Sequence, residues 1–224
     1  MLYTPENETG VRALEFALLA SVPSMAGLMV LSGPIIAVLF ERGAFDSTAT
    51  VKTAAALCAY ASGLPAYILS KTLAPVFYAR GDTVTPVRIA AWALGLYIAL
   101  CSAFLPVFGY VGIALATGIV AWINVIQYIL RIKKQRLHQT DKTFKKRTAS
   151  IVFSTLLMTA TVGMLKKETD ICFPDWIHGE QLLKFGLLTA LIMAGGIVFT
   201  VFVLISGGVD LKEIKSRLRR KKTG

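Results

Sequence analysis

The sequence predicts an all-α polytopic membrane protein with six transmembrane helices, and three observations predict it. Hydrophobic residues make up 55% of the 224. They gather into long apolar runs along nearly the whole chain, most of them near or above the roughly 20 residues a helix needs to cross the hydrocarbon core. The runs do not alternate, and hydrocarbon offers the backbone no hydrogen-bond partner, so helices rather than barrel strands must carry them. The third observation is the placement of charge. Fifteen of the 24 Lys and Arg lie in RIKKQRLHQTDKTFKKR (131–147) and KEIKSRLRRKKTG (212–224), each directly after an apolar run. A net charge of +11 could otherwise point to nucleic acid. Distributed in this way it marks the cytoplasmic side and attraction to anionic membrane lipids, and no nucleic-acid partner is expected.

Taken in order, helix A covers about 11–40, helix B about 47–79, helix C about 85–106, helix D about 110–132, helix E about 148–165 and helix F about 182–206. Helices A and B are long for a straight crossing. Pro23 and Gly33-Pro34 in A, and Gly63-Leu64-Pro65 in B, predict kinks or breaks, because proline lacks a donor and clashes with the preceding turn. Such interruptions serve either a bent packing helix or a cavity wall. Helix D carries Gly112, Ala114, Ala116 and Gly118, which permit close backbone approach. Helix E is rich in Ser and Thr, and F has Gly195-Gly196 at its middle.

The two basic segments set the orientation. The D–E loop and the C-terminal tail are expected to be cytoplasmic. Counting crossings then puts the N-terminus and the B–C loop on the same side. The A–B, C–D and E–F loops fall outside, and Trp176 in the E–F loop suits an interface. The N-terminal MLYTPENETG is polar and acidic, so no signal peptide is expected. In the B–C loop, Gly81 and Asp82 supply turn chemistry and Pro86 suits the first turn of helix C.

Three segments, LFERGAF at 39–45, GLPAYILSKTLAPVFYARGDTVTPVRIA at 63–90 and GIALATGIVAWINV at 112–125, resemble the C-terminal half of the MurJ (MviN-type) lipid II flippases. These belong to the larger group of multidrug, oligosaccharidyl-lipid and polysaccharide exporters. The resemblance covers about residues 11–135. It implies a fourteen-helix architecture of two six-helix lobes around a central cavity, followed by two extra helices. Residues 1–137 would be the last four helices of the second lobe, 138–147 a basic cytoplasmic loop, 148–206 the extra pair lining a lipid-tail groove and 207–224 a basic tail.

The implied function is alternating-access flipping of an undecaprenyl-linked peptidoglycan precursor, lipid II, across the bacterial inner membrane. The first lobe and two further helices have no counterpart here. The resemblance therefore implies a fragment not active alone, or a half that meets a separately encoded N-terminal half. The alternatives are a piece of a related polysaccharide or drug exporter, and a membrane module without transport activity.

Lys71 is the foremost candidate. A lysine inside an apolar helix is costly and is usually functional or paired. It could face the cavity and meet the anionic pyrophosphate, or it could snorkel to the interface. Glu15 could line the cavity or sit at a helix start favoured by the dipole. Glu41 and Arg42 could latch an outer gate or form a capped turn, and Arg80 and Asp82 could latch an inner gate or form the B–C turn. Some relatives are understood to hold sodium in this lobe. Thr117 stands in a suitable place, but helix C has no Asp, Glu, Asn or Gln between Ile89 and Pro106, and a hard cation wants several oxygens. No metal or cofactor is expected. Cys58 and Cys101 read as small core residues, and no framework involves Cys172. No enzyme signature is present: His138 and His178 fall in different loops, and Ser-His-Asp and phosphate-loop patterns are missing.

Overall fold

The computed structural model describes residues 5–43, 45–134, 142–172 and 181–206. Within them the chain forms α1 (Pro5–Phe40), α2 (Ser47–Ser62), α3 (Leu64–Tyr78), α4 (Val84–Phe108), α5 (Tyr110–Lys134), α6 (Lys142–Cys172) and α7 (Gln181–Ile205), with no strand among the described residues. Helix B is α2 and α3, one span divided at Gly63. Counted so, six helices are long and apolar enough to cross a membrane, and the protein is a multi-pass all-α membrane protein.

The two proline-bearing helices behave differently. α1 continues through Pro23 and Pro34 without a break. Ser24 Oγ donates to the Ala20 carbonyl at 2.7 Å and Ser32 Oγ to the Met29 carbonyl at 3.1 Å, each next to the carbonyl that Pro23 or Pro34 leaves without its usual N–H donor. Neighbouring helices and local adjustment let a membrane helix tolerate proline. Helix B does break, with Gly63 between the two halves and Pro65 in the first turn of α3. α6 runs well beyond the 148–165 expected from hydropathy and begins at Lys142, inside the stretch read as a loop. Polar residues end an apolar window, but they do not end a helix.

Two clusters hold the bundle together. Ala26, Leu31 and Val38 of α1 meet Met158 and Val162 of α6 and Leu188 and Leu191 of α7. Leu73 and Phe77 of α3 meet Ile89 of α4 and Val125, Tyr128 and Ile132 of α5. The rings of Phe77 and Tyr128 lie 5.6 Å apart, centroid to centroid. Lipid tails are as apolar as these side chains, so close packing and interhelical hydrogen bonds, rather than burial from water, hold such helices together. One such bond joins α1 and α2, from the half-buried Cys58 Sγ to Ser32 Oγ at 3.1 Å.

α5 is the central rail, packed against α2, α3 and α4, while α6 and α7 pack on each other and on α1. α4 lies at the edge. It leans on α5 and turns Val87, Trp92, Leu94 and Ile98 outward. Gly109 alone separates α4 from α5, at φ +59°. That left-handed conformation suits glycine. A Cβ on Gly112 would come within 2.6 Å of the Phe104 carbonyl oxygen, so the hairpin closes backbone to backbone.

Candidate functional site

The broken helix B and its two flanking turns contain five of the six residues singled out from the sequence. At one end, Asp46 caps α2: its Oδ1 accepts from the Ala49 N–H at 2.8 Å, as N-cap side chains do. Glu41 Oε2 accepts from the buried Thr50 hydroxyl at 2.7 Å. Arg42 Nη2 donates to the Leu39 carbonyl at 2.6 Å, and Gly43 turns the chain at φ +60°. Glu41 and Arg42 thus both bond within the α1–α2 turn.

At the other end, Gly81 reverses the chain at φ +73°. Asp82 Oδ1 accepts from the Thr85 N–H at 2.9 Å and caps α4, while Arg80 is exposed. The Thr85 bond, first of all, holds the Asp82 carboxyl below its ordinary value of 3.8. A carboxylate with a depressed folded value stabilises above its unfolded pKa, and that contribution is lost as pH falls through the folded one. Amide exchange at Thr85, corrected for intrinsic rate, is expected to accelerate as pH drops below about 4. Asp82→Ala should exchange fast at every pH, and a pH-independent protection in the parent would refute this role.

Between the turns, Lys71 is exposed, and its Nζ lies 4.4 Å from the centroid of the Tyr67 ring. A cation over a ring face is held by the ring quadrupole. No carboxylate pairs with Lys71 among the described residues. Tyr60, Tyr67 and Tyr78 are also exposed along helix B, each a little over half accessible. α3 carries the Lys71 ammonium beside phenol hydroxyls, a chemistry suited to hydroxyl-rich and anionic groups, and Lys52 adds a second exposed ammonium near the start of α2.

The helix break is supported from α5. A Cβ on Gly63 would stand 2.5 Å from the Gly118 Cα, so the two backbones are in direct contact. One turn on from Gly118, the Trp122 indole Nε1–H donates to the Ser62 carbonyl at 3.0 Å. Thr117 Oγ1 donates to the Ile113 carbonyl of its own helix at 2.9 Å and lies beside Tyr97, without the several oxygens a hard cation wants. No group of three or more His, Cys, Asp or Glu that could hold a metal occurs among the described residues.

Glu15 lies elsewhere, on the side of α1 that meets α6. Its Oε2 is 2.7 Å from Arg147 Nη1, and both side chains are largely shielded. Beyond this pair Ser150 Oγ and Ser206 Oγ share a hydrogen bond of 2.5 Å, joining α6 to the end of α7. Arg147 had counted only as one more cytoplasmic charge in the sequence, and Trp122 only as part of an apolar run; their partners lie 132 and 60 residues away. Trp176, His138, His178 and the basic tail lie outside the described residues.

A family model for lipid II flippase MurJ matches residues 6–184. A probable lipid II flippase MurJ of Rhizobium tropici is 34% identical over 212 residues, which cover 94% of this chain and 39% of that protein. A probable lipid II flippase MurJ of Rickettsia prowazekii is 34% identical over 189 residues, 84% of this chain and 36% of the other. A solved structure of lipid II flippase MurJ in an inward closed conformation superposes with a TM-score of 0.72 at 31% identity, covering 89% of this chain and 38% of that one. The chain therefore spans about two fifths of the length of the relatives it matches.

Proposed function

We propose that this chain, which belongs to the lipid II flippase MurJ family, forms one wall of a cavity through which the head group of lipid II crosses the bacterial inner membrane. The exposed Lys71–Tyr67 pair on the broken helix B carries this reading. A cation within an apolar span is expensive to keep, and no carboxylate among the described residues neutralises it. An anionic pyrophosphate passing along helix B would do so, and the phenols of Tyr60, Tyr67 and Tyr78 offer hydrogen bonds to sugar hydroxyls.

In this reading α1 to α5 belong to a transport lobe, α6 and α7 border the undecaprenyl tail, and both termini lie in the cytoplasm with the basic segments against anionic lipid. The opposite wall comes from further helices, on the same polypeptide or on a separate one. Glu41, Arg42, Arg80 and Asp82 shape the two turns that close helix B, and Glu15 ties α1 to α6 rather than meeting substrate.

Complementation tests the reading. A bacterium depleted of its flippase would receive this chain together with the N-terminal helices of a relative. Growth is expected only with both parts. Lys71→Ala should then slow flipping at least about tenfold, the loss of one charged contact of about 1.5–3 kcal/mol, while Lys71→Arg retains more activity. Flipping by Lys71→Ala at the parent rate would remove Lys71 from the path.

A further inference from the structure

Helix B is one apolar span made of two rods. α2 and α3 each pack on α1 and α5, and they touch one another little beyond the joint. The joint has the parts of a pivot. Pro65 has no N–H to offer the Ala61 carbonyl, so the hydrogen-bond ladder is weakened where the two rods meet. Gly63 and Gly118 meet backbone to backbone, which leaves no side chain to lock the angle by interdigitation. What crosses the joint from α5 is a single directed bond, from the Trp122 indole N–H to the Ser62 carbonyl. Trp122 is 42% exposed, so this bond can open without unpacking a core.

The two helices that run on from the joint, α3 and α5, carry a second, independent sign. Ser70 Oγ on α3 and Asn124 Oδ1 on α5 are both buried without a hydrogen-bond partner. Buried polar atoms are ordinarily paired, and an unpaired one calls for an explanation. The two sit on helices that pack together directly. Polar atoms left unpaired in this arrangement are candidates for pairing in another.

We propose that Gly63 is a hinge between α2 and α3, and that Trp122 is the positioning residue that latches it in the arrangement seen here. α3 moves with Lys71 and Tyr67 on it, while α2 stays with α1. The claim concerns the geometry of helix B and stands apart from the transport reading.

Spin-label distances on the full chain in lipid nanodiscs test it. Labels at Phe16 and Tyr78, both exposed, report α3 against α1. Labels at Leu39 and Val51, also exposed, report α2 against α1 as a control. Trp122→Phe keeps an aromatic ring and removes the N–H. It is expected to add a second, displaced population to the Phe16–Tyr78 distances and to leave Leu39–Val51 unchanged. Trp122→Gln, which returns an N–H donor on a side chain of similar reach, should recover the single population. Identical Phe16–Tyr78 distributions in the parent and the Phe variant would overturn the latch, as would a Gln variant as broad as the Phe variant. Should the Phe variant fail to insert, the parent decides: Phe16–Tyr78 distances broader than Leu39–Val51 support the hinge, and equal widths overturn it.

Discussion

Gly63→Ala is expected to be among the most damaging single-methyl changes in this protein, and Gly118→Ala far milder, although the two glycines touch each other. The added Cβ at Gly63 would lie 2.5 Å from the Gly118 Cα, and 3.4–3.5 Å from that residue's N and C atoms. Backbone cannot rotate aside as a side chain can, so α5 or the joint itself must shift. The Cβ at Gly118 meets Ser62 Oγ at 3.3 Å and the Ala59 carbonyl at 3.4 Å; the first is a rotatable hydroxyl and the second needs a few tenths of an ångström. Neither glycine has a positive φ, so the cost is one of contact and not of conformation. Overpacking a tight seam costs about 1–3 kcal/mol. Gly63→Ala should approach the upper end and Gly118→Ala should stay below the lower one. Thermal unfolding in detergent compares them directly, and equal losses would mean that the seam yields as a whole.

The second large effect belongs to the ion pair between α1 and α6. Glu15 and Arg147 are 2.7 Å apart, with side-chain exposures of 14% and 22%. Removing one partner of a shielded pair strands the other charge, and the full cost for a buried pair is about 3–5 kcal/mol. Their residual exposure lowers that, and about 1–3 kcal/mol is expected for Glu15→Ala. Arg147→Ala should cost more, because Arg147 engages a further neighbour besides Glu15. The double variant should cost less than the sum of the two, with a coupling of about 0.5–3 kcal/mol. The exchanged pair, Glu15→Arg with Arg147→Glu, should recover part of the loss. Strict additivity in the cycle would reduce the contact to a surface feature. This pair and the Ser150–Ser206 bond together fasten α6 and α7 to the rest of the bundle at one end.

The fold was legible where it follows from local chemistry. Hydrophobic runs of membrane-spanning length placed all six spans, because hydrocarbon leaves the backbone no alternative to the helix. The division of helix B was legible in Gly63-Leu64-Pro65, while for α1 the expected kink or break left open that the helix runs on unbroken through both prolines. Pro23 and Pro34 announce a kink or a break, and which of the two the packed bundle allows depends on neighbours that the local sequence does not record. The site was legible in part. Lys71 stands out in any apolar run, but its Tyr67 neighbour needed the helix to be folded. Trp122 and Arg147 were invisible as partners, since a single sequence records that a residue is present and not what it meets across 60 or 132 positions. The Asp82 bond to the Thr85 N–H spans only three residues, the short range over which turn chemistry is legible in a sequence.

The single-glycine connection between α4 and α5 has a consequence for biogenesis. With one residue between two apolar helices, there is almost no chain to pass through the membrane as a separate segment, and neither helix has a polar tether of its own on that side. Two apolar helices so closely joined are expected to enter the bilayer together, as one hairpin. Lengthening that tip by an epitope is therefore expected to alter how the protein is made, and not merely decorate one of its corners.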